Sequence, residues 1–183
     1  MSIKINYSNK LSSKPSPNHV LFVDQNFNIS GLEKTISNTE FTYISDLLKI
    51  SDLKKNLLFF KINSKKTILL VSIKKDLKTS DVENLGAKFH SYINYDKRNN
   101  YLINSDTINS KIENFLGYFL HGLKLKSYEF NIYKSKKDKN LVLIDVFGNK
   151  NKISVQNQLR FKALEEGSFF ARDLVSEPGN ILH

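Results

Sequence analysis

Two continuously apolar runs, Leu57-Leu-Phe-Phe60 and Ile68-Leu-Leu-Val71, constrain this chain more than any other local feature. Both lie inside short segments rich in branched and aromatic residues, Leu57 to Ile62 and Thr67 to Ile73, and Asn63-Ser-Lys-Lys66 between them reads as a tight turn. A strand that faces water on one side alternates apolar and polar residues. One that does not alternate is covered on both faces, and only helices or a second sheet can cover it. The pair is therefore expected to form a hairpin of strands buried on both faces at the centre of a layered domain.

Four more strand candidates carry the same β-branched and aromatic enrichment: Ile3 to Tyr7, Val20 to Asp24, Glu129 to Tyr133 and Asn140 to Val146. Helices interleave with them. Ser80-Asp-Val-Glu83 has capping-box spacing, and Val82, Leu85, Phe89 and Ile93 then share one helical face. A second helix is expected from about Thr107, with Ile108, Ile112, Phe115, Leu116, Phe119, Leu120 and Leu123 at three-and-four spacing. Ser105 or Asp106 is its expected N-cap, and Gly122 lies near its C-terminal end. Shorter helical turns are expected around Gly31 to Ser37 and Ile44 to Lys54. The last helix is expected from about Ser154 to Ser176, with Leu159, Ala163, Leu164, Gly167, Ala171, Leu174 and Val175 facing inward. Strands alternating with helices, buried strands at the centre, describe an α/β three-layer sandwich with a mixed central sheet.

Composition narrows the function classes. The longest apolar run, Thr67 to Ile73, is far short of the roughly 20 residues that cross a bilayer. The segment Met1-Ser-Ile-Lys-Ile-Asn-Tyr7 alternates like a strand and lacks the apolar stretch of a secretory signal, so no membrane association and a cytoplasmic location are expected. Zero cysteines exclude disulfides, thiolate metal sites and a cysteine nucleophile. The net charge of +10 draws attention to nucleic acid, yet only Arg98, Arg160 and Arg172 of the 28 basic residues are arginine, the side chain that grips phosphate and guanine in two places at once. A lysine-rich surface with weak DNA binding is the alternative reading. Its densest run, Lys134-Ser-Lys-Lys-Asp-Lys139, reads as a solvated loop between strands.

Side chains that could do chemistry are scattered. His19, His90, His121 and His183 share no metal-ligand spacing; His121 is expected at a helix end and His90 at the surface or boundary. The paired carboxylates are Glu165 with Glu166, Asp81 with Glu83, and Asp173 with Glu177. Each pair sits on a single helix, and a hard cation needs several converging oxygens. The seven glycines form neither a Gly-x-Gly-x-x-Gly nor a Walker loop. No catalytic, cofactor-binding or metal-binding residue is assigned within this chain.

The C-terminal string Ala171-Arg-Asp-Leu-Val-Ser-Glu-Pro-Gly-Asn-Ile-Leu-His183 resembles the junction at which a linker helix enters the catalytic domain in the leucine aminopeptidase family. Upstream, Leu123-Lys-Leu-Lys-Ser-Tyr-Glu-Phe-Asn-Ile-Tyr-Lys134 resembles that family's Leu-x-x-Tyr-x-Phe-x-x-Tyr strand entry. Together the motifs cover most of 115–183; residues 1–100 match only in the order of elements. The resemblance implies a macro-domain-like N-terminal domain over 1–152, then 153–183 as the linker helix and first residues of a catalytic domain that the sequence does not contain. It implies a non-catalytic, structural and oligomer-forming role here, in a parent two-metal exopeptidase that removes N-terminal residues from peptides. Its expected partners are its own catalytic domain, further copies (a hexamer in the family) and a peptide substrate, with two divalent ions, zinc or manganese, in the missing domain. The family's ligand signature, Asn-Thr-Asp-Ala-Glu-Gly-Arg, is absent, as are its catalytic lysine and arginine segments. Where the family tends to have Gly-Leu-Gly after the central strand, this chain has Ser72-Ile73-Lys74, which counts against binding of an ADP-ribose-like ligand.

Overall fold

A computed structural model describes residues 2–8, 18–96, 98–133 and 140–178. Its six strands are β1 (Ser2–Ser8), β2 (Asn18–Asp24), β3 (Leu57–Lys61), β4 (Thr67–Ile73), β5 (Asn100–Asn104) and β6 (Leu141–Phe147). The helices are α1 (Asn38–Ile50), α2 (Thr79–Asp96), α3 (Phe115–Lys126) and α4 (Val155–Ser176). The strands form one mixed sheet in the order β1-β6-β5-β2-β4-β3, parallel throughout except for β3, which runs antiparallel to β4.

Both faces of β4 are buried, as its unbroken apolar run requires. On one side Leu69 and Val71, with Val20, Phe22, Tyr101, Ile103 and Ile144, meet Val82, Leu85, Phe89 and Ile93 of α2 and Leu116, Phe119 and Leu123 of α3. On the other, Ile68 and Leu70 pack with Leu21, Val23, Phe27, Leu32, Ile36 and Ile44 beneath α1 and its preceding 3-10 turn. The result is the expected α/β arrangement with a helical layer on each side of a mixed sheet. The hairpin partner differs from expectation. β3 is an edge strand, and its Phe59 is 55 % exposed, lying against the ring of Tyr92 on α2 at 4.8 Å. A continuous apolar run does not distinguish a central strand from an edge strand beside a helix.

Three further expectations are corrected. Glu129 to Tyr133 is not a strand; Tyr133 bonds Glu177 at the end of α4, and the preceding Tyr128 packs on Phe169 of α4. β5 was not anticipated because Tyr101-Leu-Ile103 is only three apolar residues between asparagines. The helix expected from Thr107 begins at Phe115, after Asn114 in a left-handed conformation with φ 56°. The intervening backbone is held elsewhere: Asp106 Oδ1 accepts the N–H groups of Asn149 and Lys150 at 2.7 and 2.6 Å, and Asn151 Nδ2 donates to the Ile108 carbonyl at 2.8 Å. Tertiary partners replace the first helical turns.

The capping box lies one helix earlier than expected. Ser37 Oγ accepts the Glu40 N–H at 3.3 Å while Glu40 Oε2 accepts the Ser37 N–H at 3.0 Å, starting α1 at Asn38. At α2 it is Asp81, not Glu83, that reaches back, accepting the Lys78 N–H at 2.9 Å. Gly122 is not a helix stop but a packing residue inside α3. A Cβ there would stand 1.9 Å from the Glu83 carbonyl oxygen, and one on Gly86 of α2 would stand 1.8 Å from that of Phe119. The two helices touch backbone to backbone through these glycines.

Candidate functional site: the docked C-terminal helix

Ser154 caps α4, accepting the Asn157 N–H at 3.2 Å, and Asn157 Nδ2 ties the first turn to Asn114 Oδ1 at 2.8 Å. The buried ring of Phe161 then lies over Gly117 of α3, whose missing Cβ makes the room: a methyl there would fall 2.3 Å from the ring. Tyr118 meets Phe161 edge-on at 5.3 Å and His121 sits against it at the same distance. One turn further, His121 Nδ1 and Glu165 Oε1 are 3.3 Å apart.

Beyond Glu165 the two motifs that carry the family resemblance meet. Phe169 packs on Tyr128 with ring centroids 5.4 Å apart, and the Tyr128 hydroxyl donates to Asp173 Oδ1 at 2.8 Å. Arg172 donates to the Leu125 carbonyl at 2.7 Å with its guanidinium 5.4 Å from the Tyr128 ring centroid, and the Tyr133 hydroxyl bonds Glu177. Desolvation and the Asp173 carboxylate raise the Tyr128 phenol, so it stays a donor at neutral pH. Hydrogen bonding to Glu177 does the same for Tyr133. Residues 125–133 and 169–177 form one clamp fixing the direction in which α4 leaves the domain. Gly179 to His183 of the C-terminal motif and the basic run 134–139 lie outside the described residues.

The inward face of α4 is the reverse of the expected one. Phe161 is buried, and Gln158, Glu165, Ser168, Phe169 and Asp173 are half-buried. Leu159, Ala163, Leu164, Gly167, Ala171, Leu174 and Val175, the face expected inward, are all exposed. The domain surface that receives the helix carries His121, Lys124 and Tyr128, which suit polar partners, so the mixed face docks and the apolar face does not. Leu159 is 63 %, Phe170 64 % and Leu174 41 % exposed, whereas Tyr128 half-covers Phe169. The outward strip is continuous along the helix.

The remaining candidates separate. His121 is not at a helix end but inside α3, and His90 is buried on α2 rather than at the surface, its Nε2 without a hydrogen-bond partner. His19, half-buried, lies on β2. Glu165 faces His121 while Glu166 pairs with Lys162 at 3.7 Å; Asp81 caps α2, and Asp173 and Glu177 serve two tyrosines. Among the described residues no three His, Asp or Glu side chains form a group suited to a metal ion. Nor are the arginines grouped for phosphate. Arg98 holds the strand starts together through Asn18, Thr67 and Asp96, and Arg172 is part of the clamp. A crevice of about 810 Å³ opens at the C-terminal ends of β2 and β4, where α/β sheets commonly bind ligands, lined by Asp24, Lys74, Lys75, Asp76, Asp106 and Lys111. Asp24 there accepts two backbone N–H groups of its own loop, and Asp106 accepts two from the loop after β6. Among the described residues no helix is long and apolar enough to cross a membrane.

No protein-family model matches the sequence, and no curated protein matches it. Solved structures do match its fold. A point mutant of tomato leucine aminopeptidase superposes with a TM-score of 0.68 at 15 % identity, over 98 % of this chain and 39 % of that one. The cytosol aminopeptidase from Coxiella burnetii gives 0.61 at 10 % identity, over 96 % and 34 %. The bottromycin maturation enzyme BotP in complex with manganese gives 0.59 at 10 % identity, over 92 % and 33 %. This chain spans between a third and two-fifths of the length of these relatives, and at such identities the likeness establishes a shared fold.

Proposed function

We propose that this chain is the non-catalytic N-terminal portion of a leucyl-aminopeptidase-related protein. Its role is structural: a rigid α/β domain orients α4, whose outward apolar strip packs against a catalytic domain and contributes to assembly of a cytoplasmic oligomer, a hexamer by resemblance. The observation that carries this reading is the clamp. The two motifs that resemble the family are 45 residues apart at Tyr128 and Asp173, yet they bond directly across α4, in a fold shared with leucine aminopeptidases.

The two divalent ions of the parent reaction belong to that other domain. The paired carboxylates present here do not converge on a cation: Glu165 faces His121, Glu166 Lys162, Asp81 a backbone N–H and Asp173 a tyrosine, and among the described residues no three His, Asp or Glu side chains form a group suited to a metal ion. The parent activity under this proposal is removal of N-terminal residues from peptides, and this portion performs none of its chemical steps.

The test mixes the purified chain with leucyl p-nitroanilide and zinc or manganese, then repeats the assay after adding a separately expressed aminopeptidase catalytic domain. The expected result is no turnover by this chain alone and co-elution with the catalytic domain. Co-elution is expected to fail when Phe170 and Leu174 are both changed to Ser. Chelator-sensitive hydrolysis by the chain alone, or co-elution indifferent to those substitutions, would overturn the proposal.

A further inference from the structure

β1 ends the sheet, and among the described residues its outer edge pairs with no other strand. Its register fixes which backbone groups face outward. The Ser2 N–H bonds the Asn140 carbonyl on the β6 side, so strand alternation turns the N–H and C=O groups of Ile3, Ile5 and Tyr7 away from the sheet. Lys124 confirms this, donating to the Ile3 carbonyl at 2.6 Å from α3. Among the described residues nothing bonds the outward backbone groups of Ile5 and Tyr7.

A cleft of about 580 Å³ runs beside this edge, bounded by β1, α3 and α4. Its floor is apolar, made by Leu120, Phe161 and Phe169. Lys124 stands in its wall. The ammonium has three donors and spends one on Ile3, and among the described residues no carboxylate lies within ion-pair distance of it. Of the two acids lining the cleft, Glu165 is engaged by His121 and Glu166 by Lys162. Burial lowers the Lys124 pKa, with Glu165 opposing, which marks an ammonium short of solvation rather than one solvated at the surface. An open strand edge with an apolar recess beside it is what strand addition uses to capture extended peptides, and Lys124 at the start of the edge adds a cation suited to a carboxylate.

We propose that this cleft binds an extended peptide as an added strand on β1, bonded to the backbone of Ile5 and Tyr7, with an apolar side chain against Leu120, Phe161 and Phe169 and a terminal carboxylate on Lys124. This site is independent of the outward strip of α4 and of the role proposed above. The carboxylate pairs with the Lys124 ammonium, which no carboxylate meets at ion-pair distance among the described residues, and the main-chain bonds supply affinity without demanding one sequence.

The test is fluorescence anisotropy with the full chain and a labelled Thr-Val-Phe-Val peptide bearing a free C-terminal carboxylate, against its C-terminal amide. The acid is expected to bind about ten-fold or more tightly than the amide, the worth of one charge-assisted hydrogen bond. Lys124→Met is expected to erase that preference and Lys124→Arg to retain it. Tyr7→Pro removes only an outward N–H, so the sheet survives, and it is expected to weaken binding well beyond Tyr7→Ala. The proposal falls if acid and amide bind alike, if neither binds by about 1 mM, or if Tyr7→Pro matches Tyr7→Ala. It falls equally if the edge is already occupied by a second copy, seen as a dimer that Tyr7→Pro dissociates.

Discussion

Replacing Gly86 or Gly122 by alanine tests whether α2 and α3 depend on backbone contact. On propensity alone each change should help, since glycine in a helix interior costs about 1 kcal/mol relative to alanine. The geometry opposes it. The new methyl would lie 1.8 Å from the Phe119 oxygen for Gly86 and 1.9 Å from the Glu83 oxygen for Gly122, and a backbone carbonyl has no rotamer to retreat into. Overpacking of a core typically costs 1–3 kcal/mol, and a clash of two main chains belongs at or above the top of that range, so a net loss of about 3 kcal/mol is expected for either variant. For a chain of this size that lowers the melting temperature by about 6–12 °C. Gly167→Ala is the control, because α4 leaves open space there and only propensity acts. It should raise stability by about 0.5–1 kcal/mol. Thermal unfolding followed by circular dichroism, with urea midpoints at unchanged slope, gives both values. If Gly86→Ala and Gly122→Ala shifted stability in the same direction as Gly167→Ala, the close approach of the two helices would be refuted.

The outward strip of α4 predicts self-association: Phe170→Ser with Leu174→Ser should shift sedimentation toward monomer at high concentration while changing stability by less than about 0.5 kcal/mol, since both side chains are exposed. Tyr128→Phe removes the bond to Asp173 and should cost about 1 kcal/mol, read as faster amide exchange over 169–177 with α2 and α3 still protected; uniform loss of protection would sink the idea of a local clamp. His90 predicts the pH dependence. Burial, then the Lys126 charge, lowers its pKa in the folded chain, so the unfolded chain takes up a proton first as pH drops below about 6.5. This group therefore contributes constant stability above that pH and progressively less below it, and His90→Leu should flatten the pH dependence of the unfolding midpoint below about pH 6.5. An unchanged acid limb in that variant would assign the dependence to other groups.

How much of this was legible in the sequence depended on whether a residue's partner was local. β4 could be read because burial on both faces leaves a mark within seven residues. α4 could be bounded because Ser154 caps it with its own hydroxyl. Gly122 was misread as a helix end because its purpose is a carbonyl on another helix, 39 positions away in the chain. Glu129 to Tyr133 looked like a strand because Phe130, Ile132 and Tyr133 are strand-favouring residues whatever they pack against, and the partner of Tyr133 is Glu177, 44 positions on. The start of α3 failed for the same reason: Ile108 and Ile112 keep helical spacing, but the backbone around them finds its partners at 149–151.

The reversed orientation of α4 is the most informative of these failures. Periodicity ranks the faces of a helix by apolarity and assigns the richest face to the core, which is valid for a helix with one partner. Here the richest face is outside, and the poorer one is held by Phe161, the His121–Glu165 contact and the tyrosine clamp. These polar contacts are directional, so they specify the helix's rotation as well as its position, which an apolar strip sliding on an apolar floor does not. An arrangement that spends its directional bonds to aim an uncovered apolar strip outward suits a helix with a second surface to meet. If the clamp serves that purpose, Tyr128→Phe and Asp173→Asn should weaken co-elution with an aminopeptidase catalytic domain although neither side chain lies on the strip. Weakening by Phe170→Ser alone, with the clamp variants indifferent, would show that the aim of the helix does not matter.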